Sequence, residues 1–286
     1  MNHWRKQSSI VLGVSLLAAI IVLCQMALYV VHLLWGVSLH KNVFEFCIGL
    51  FRPNSVPYYV ITFILNALIV FTLITIMVKA VQQFLLLRKF KKDLVSLVDP
   101  QLSDKLSRQL NRTANKLIVV NHDRLLAFTV GFRNPRIVIS GALLDMLEEQ
   151  ELRAVVEHET FHQINRDGIK IFITQLVSQA LWFIPITRWC YQNYKIMSEL
   201  AADEYAIHRS GSEIGLGSAM VKLLRREYKS KSLPVLVHFA DGSINYRLKQ
   251  LLNSDRSIPV KLDMVSMVTS IHMLMFVLIL MIAAGM

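Results

Sequence analysis

The sequence predicts an α+β body carried on several membrane-spanning helices. Three observations predict it. Three long apolar runs contain no Asp, Glu, Lys or Arg. Short β-branched runs are followed by helical patterns of 3.6-residue period. Inside the second of those helices stands "HETFH", residues 158–162.

The apolar runs are Ile10 to Trp35, Tyr58 to Val78 and Val265 to Met286. Each is long enough to span a bilayer, which takes about 20 residues. The first is too long for a signal-peptide core and has no prompt cleavage pattern, so it is expected to stay as an anchor. Apolar residues make up 54 % of the 286, above the soluble range. The formal net charge of +11 is concentrated beside these runs. Arg5 and Lys6 precede the first, and Lys79, Arg88, Lys89, Lys91 and Lys92 follow the second. The connecting loop holds only Lys41 and Arg52, set against Glu45. This asymmetry places the N-terminus and everything after the second span in the cytoplasm of a multi-pass cell-membrane protein. Insertion topology thus explains the positive charge, and no nucleic-acid partner is expected.

The expected organisation is a two-span anchor over residues 1–92, a body over 93–262 and a last span over 265–286. Within the body, 93–115 reads as polar helix broken at Pro100. "KLIVV" (116–120), "RLLAFTVGF" (124–132) and "RIVIS" (136–140) read as strands, with turns at Asn121-His122-Asp123 and Asn134-Pro135. Ser140 suits the N-cap of the helix "GALLDMLEE". A second helix runs from about Glu149 to Arg166, with Leu152, Val155, Val156, Phe161 and Ile164 as its apolar face. Gly168 suits its end. Cys24, Cys47 and Cys190 are an odd, scattered set and build neither a disulfide framework nor a cysteine-rich metal site. No internal repeat or low-complexity tract is present.

On a helix, His158 and His162 lie four apart on one face and can present ring nitrogens to one zinc ion. Glu159 is rotated about 100° away, beside the metal, where it can take a proton from the attacking water. A catalytic zinc normally has three protein ligands. The third candidate is Glu199 in "MSELAADEYAIH", residues 197–208. Asp203, one turn further on, is the candidate orienter of a ligating histidine, and Asp167 is another. Arg247, in "INYRLKQLL", is a candidate transition-state stabiliser, with a plain surface arginine as the preferred reading. His122, His208, His238 and His272 are read as non-ligands. Either "AFTVGF" or "RIVIS" can offer an edge for an extended substrate, or both are scaffold.

A fourth apolar stretch, residues 169–190, is constrained by the metal argument. A single crossing there would part Glu199 from the histidines. The expectation is a largely buried helix to Phe183 with a turn at "FIPIT", or a dip into the membrane that turns back at Pro185.

"AFTVGFRNPRIVISGALLDMLEEQELRAVVEHETFHQINRD", with "LWFIP" and "SELAADEYAI", resembles the BlaR/MecR-type integral-membrane zinc metallopeptidases over roughly residues 115–210. A second resemblance is to the HtpX and CAAX-prenyl-protease type. Both resemblances imply a gluzincin-like fold, one zinc ion per chain, and functional residues matching His158, Glu159, His162 and Glu199. The first implies signal-responsive cleavage of a cytoplasmic or membrane protein, typically a transcriptional repressor; a separate sensor protein is a candidate partner. The antibiotic sensors carry a penicillin-binding domain after the last span, where this sequence stops at Met286, so β-lactam sensing is not expected. Two other readings stand beside it. One is HtpX-like quality control of membrane proteins, and the other a non-catalytic signalling scaffold with a structural zinc site.

Overall fold

The computed structural model describes residues 3–36, 45, 48–113, 115–229, 243–252, 260–261 and 264–283. Lys41, Cys47, His238 and the last three residues of the third apolar run lie outside these. The chain divides into two compact units. The first comprises Met1–Ser9, Phe84–Phe172 and Asn193–Pro259, and the second Ile10–Gln83, Ile173–Gln192 and Val260–Met286.

The fold is mostly helical with one small sheet. Helix α1 spans His3–Trp35 and α2 Val56–Val95. These two are long and apolar enough to cross a membrane. A short helix α3, Pro100–Gln109, follows; Asp99 caps it by accepting from the Leu102 N–H at 3.0 Å, and Pro100 sits in its first turn. Pro100 therefore starts a helix as well as ending the pattern before it.

Strands β1 (Leu117–Val120), β2 (Ala127–Val130) and β3 (Arg136–Ser140) form a sheet of order β1-β3-β2. β1 lies parallel to β3, and β2 antiparallel to it. β2 is shorter than the sequence predicts, because residues 124–126 stay outside the ladder. Side chains alternate across the sheet. Leu117, Val119, Ala127, Ile137 and Ile139 pack with Leu143, Leu152, Val155 and Val156. Ile118, Val120 and Val138 face the other way, toward Leu94, Val98, Phe128 and Val130. Gly131 follows β2 with φ +106°, and a Cβ there would meet the Asn134 carbonyl oxygen at 3.0 Å. Only glycine fits that turn.

Helix α4 (Gly141–Met146) leaves β3 directly. Ser140 caps it, accepting from the N–H groups of Leu143 at 3.3 Å and Leu126 at 3.0 Å. Helix α5 (Glu149–Asn165) then crosses beneath the sheet and is buried on nearly all sides. Ile164 is the exception to its predicted apolar face, being 65 % exposed. Its buried glutamates Glu151 and Glu157 each have a cationic partner. Glu151 accepts from the Glu148 N–H, the Ser218 hydroxyl and the Lys222 ammonium, and Glu157 pairs with Arg112 at 2.6 Å. Gln163 donates to the carbonyls of Lys116 and Pro135, which pins the helix to the starts of β1 and β3.

Gly168 does not end α5. Arg166 takes the left-handed conformation instead, at φ 54°, and Asp167 opens helix α6 (Asp167–Ala180). A non-glycine residue there costs about 1 kcal/mol or more, which the contacts of Asp167 offset. α6 and the turn at Leu181–Ile184 pass through the second unit. Helix α7 (Pro185–Ser210) brings the chain back. The return is marked by the Tyr194 hydroxyl, which donates to Asp167 Oδ1 at 2.8 Å. Helices α8 (Glu213–Lys229) and α9 (Ser243–Leu252) complete the first unit, and α10 covers Met264–Ala283. In the second unit, Ala19, Val22, Met26, Tyr29 and Ile69 pack with Val177, Leu181 and Ile184. There the Ser270 hydroxyl accepts from the Ile186 N–H at 2.9 Å.

Replacing Ser140 by Ala removes a helix cap and the acceptor for Leu126 together. The expected cost is about 1–2 kcal/mol, read as a lower thermal midpoint of the detergent-solubilised protein.

Candidate metal centre

Helices α5 and α7 supply the centre. One turn of α5 separates His158 from His162, and their Nε2 atoms face each other at 3.2 Å. Glu199, from the middle of α7, closes the group. Its Oε2 lies 3.4 Å from His158 Nε2 and its Oε1 3.6 Å from His162 Nε2. Among the described residues, these three form a group of donor atoms within 4.8 Å of one another. All three are buried or nearly so.

The backs of both imidazoles are tied to carboxylates. His158 Nδ1 meets Asp203 Oδ1 at 2.8 Å, and His162 Nδ1 meets Asp167 Oδ2 at 2.8 Å. A carboxylate accepts only, so each Nδ1 carries a hydrogen, which leaves each Nε2 as the atom that can ligate a metal or, without one, bear a proton toward Glu199. Asp167 is itself held by the Asn165 amide at 2.6 Å and by Tyr194. The left-handed turn at Arg166 is what swings Asp167 under His162.

Arg247 is not a surface residue. It is 1 % exposed, and its guanidinium grips Asp203 through Nε at 2.7 Å and Nη2 at 2.6 Å. Nη1 reaches Glu199 Oε2 at 3.3 Å. The buried acids of α7 draw the cation inward. It thereby holds the Asp203 and Glu199 carboxylates together. Glu159 is also buried. Its carboxylate and carbonyl accept from the Thr129 hydroxyl, both at 2.9 Å.

These residues fit a zinc ion on two counts. Tetrahedral bonds of about 2.0–2.1 Å set neighbouring donor atoms about 3.3–3.4 Å apart. The distances of 3.2, 3.4 and 3.6 Å lie around that value. The second count is charge. Four buried carboxylates, Glu159, Asp167, Glu199 and Asp203, gather around the buried guanidinium of Arg247, with half-buried Lys170 and Lys195 also acting on Asp167 and Glu199. That surplus suits a dication. Without one, protons fill the role. Burial alone would lower His162, but Glu199 and Asp167 outweigh it and raise its pKa to about 9. His158 is raised as well: burial and Arg247 oppose it, and Asp203 and Glu199 prevail. Glu199 is driven well below the usual carboxylate range; burial opposes this, and His162, His158 and Arg247 overcome it.

Sequence reasoning missed Thr129 and Tyr194. A threonine in a β-branched strand and a tyrosine in a helix carry no signal that they reach the metal-centre residues. The two strands weighed as substrate edges also separate. β3 is paired on both sides and offers no edge, whereas among the described residues β2 pairs only with β3. His122 accepts from the Arg124 N–H, and His272 bonds the Val268 carbonyl, both away from this centre.

A family model described as BlaR1 peptidase M56 matches residues 52–251, well over half the chain. The chain belongs to the BlaR1 peptidase M56 family. It is also similar to proteins named "Protease HtpX homolog". The one from Trichormus variabilis is 32 % identical over 97 residues, which are 29 % of this chain and 33 % of that protein. The one from a Nostoc species is 33 % identical over 93 residues, 28 % and 32 % of the two chains. The one from Aquifex aeolicus is 29 % identical over 93 residues, 31 % and 30 %. The matched region spans about a third of the length of these relatives. Membership of a membrane peptidase family agrees with the two long apolar helices and the His-His-Glu group.

The raised His162 sets a pH dependence. Its folded pKa of about 9 exceeds the unfolded value of about 6.5. Its contribution to stability is therefore fully present below pH 6.5 and is lost as pH rises through 9 in metal-free protein. Zinc competes with those protons, so its binding strengthens over the same window. The difference in thermal midpoint between zinc-loaded and chelator-treated protein is expected to widen from pH 6.5 to pH 9.

Proposed function

We propose that this chain is a membrane-embedded, zinc-dependent endopeptidase of gluzincin type. His158, His162 and Glu199 hold the ion. Asp203 and Asp167 orient the two imidazoles, and Arg247 fixes Asp203 and Glu199. The observation that carries this reading is Glu199 standing 3.4 and 3.6 Å from the two ring nitrogens. When bound, zinc supplies Lewis acidity that makes water nucleophilic near neutral pH and polarises a peptide carbonyl. Glu159 takes the proton of the attacking water and delivers it to the leaving amine. An extended substrate pairs with the open edge of β2, the strand that already touches Glu159 through Thr129.

The substrate we propose is a cytoplasmic or membrane protein cut in response to a signal, with a transcriptional repressor as the type of target the M56 resemblance suggests. A separate sensor protein would then deliver the signal. The charge asymmetry beside α1 and α2 supports a multi-pass protein with its N-terminus and catalytic body in the cytoplasm. The out-and-back path of α6 and α7 supports keeping both ligand helices on one side of the bilayer. The similarity to proteins named HtpX homologues favours a second reading, quality control of membrane proteins. A scaffold with structural zinc is disfavoured by Glu159, since a structural site needs no base beside the metal.

Quantitative proteomics of cells carrying wild-type protein or Glu159→Gln separates these. The variant is expected to retain zinc and to lose turnover by about 10²–10⁴-fold. One or a few uncut proteins accumulating in the variant supports regulated proteolysis, and a broad set supports quality control. Identical proteomes would leave the scaffold.

A further inference from the structure

The hydroxyl of Thr129 meets Glu159 at two places, 2.9 Å from Oε2 of its carboxylate and 2.9 Å from its backbone oxygen. We infer that Thr129 is a positioning residue for the base, an inference that rests on Glu159 acting as one. The sheet dictates which residue arrives there. Ala127 and Thr129 point toward α5, and Phe128 and Val130 pack on the opposite face. Pairing of Thr129 with Ile137 fixes the register. A slip of one residue would replace the hydroxyl with an apolar side chain.

A glutamate has three rotatable bonds, and a base must be held within about 0.5 Å of its working place. A hydrogen bond from a hydroxyl to a carboxylate is among the stronger kinds. The hydroxyl has one hydrogen and two acceptors at equal distance. Of the two, the charged carboxylate is the stronger acceptor and draws the hydrogen. A threonine that only satisfied itself on a helix carbonyl would need no second acceptor. Thr129 also sits on β2, the strand with the open edge. Edge strand and base are thus fastened to each other, and a peptide paired on that edge is registered against Glu159.

The test uses the full zinc-loaded chain in detergent micelles. Thr129→Val keeps the shape and the strand preference and removes the O–H, while Thr129→Ser keeps the O–H. Zinc content is measured first. Affinity for a peptidyl hydroxamate is measured by calorimetry, because such a group chelates zinc and shares a proton with a neighbouring carboxylate. kcat and KM are measured on fluorescently labelled casein. Thr129→Val is expected to keep its zinc, to lose hydroxamate affinity and kcat roughly tenfold each, and to hold KM within about twofold. Thr129→Ser should behave as wild type. In a Glu159→Gln background, Thr129→Val should add nothing. Loss of zinc, wild-type values in both readouts, or an undiminished loss in the Glu159→Gln background would overturn the inference. If Glu159→Gln alone matches wild type in hydroxamate binding and in turnover, the base reading fails and this inference falls with it.

Discussion

Glu199 stands 3.4 and 3.6 Å from the ring nitrogens of His158 and His162 although residue 199 lies 37 positions beyond residue 162. Bringing a carboxylate to two buried imidazoles concentrates negative charge where solvation is poor. The surrounding structure is organised around that difficulty. Arg247 is buried against Asp203 and Glu199, and the backs of both histidines are tied to acids. Remaining surplus charge is met by protons or by a dication. The same surplus that burdens the fold is compatible with a metal in the site.

The rest of the first unit follows from holding α5 and α7 side by side. α5 is fixed to the sheet by Gln163 and to α8 by Glu151. α7 is fixed to the end of α5 by the Tyr194–Asp167 contact. The chain between them leaves through α6 and returns through α7, so an apolar stretch intervenes without parting His162 from Glu199. The left-handed Arg166 is a local strain at the junction of α5 and α6, next to the Asp167 that meets His162.

Much of this was legible in the residues. Four-residue spacing on a helix places His158 and His162 on one face whatever surrounds them, and the same spacing pairs Glu199 with Asp203. Ser140 as a cap and the three strands follow from local chemistry. What was not legible depended on tertiary contact. Arg247 looks like any arginine on an amphipathic helix until Asp203 is placed beside it. Gly168 looks like a helix end, but the demand of His162 for a carboxylate moved the turn to Arg166. "RIVIS" and "AFTVGF" read alike as strands, and only the sheet order shows which has an open edge. Ile164 fits the helical period, yet it is exposed.

The central claim is that one zinc ion is held jointly by α5 and α7. Crystals of the zinc-loaded protein, measured at the zinc absorption edge, test it directly. The account predicts one anomalous peak within about 2.3 Å of the Nε2 atoms of His158 and His162 and of a Glu199 carboxylate oxygen. A peak elsewhere, or a peak at the histidines with Glu199 out of coordinating reach, would contradict it.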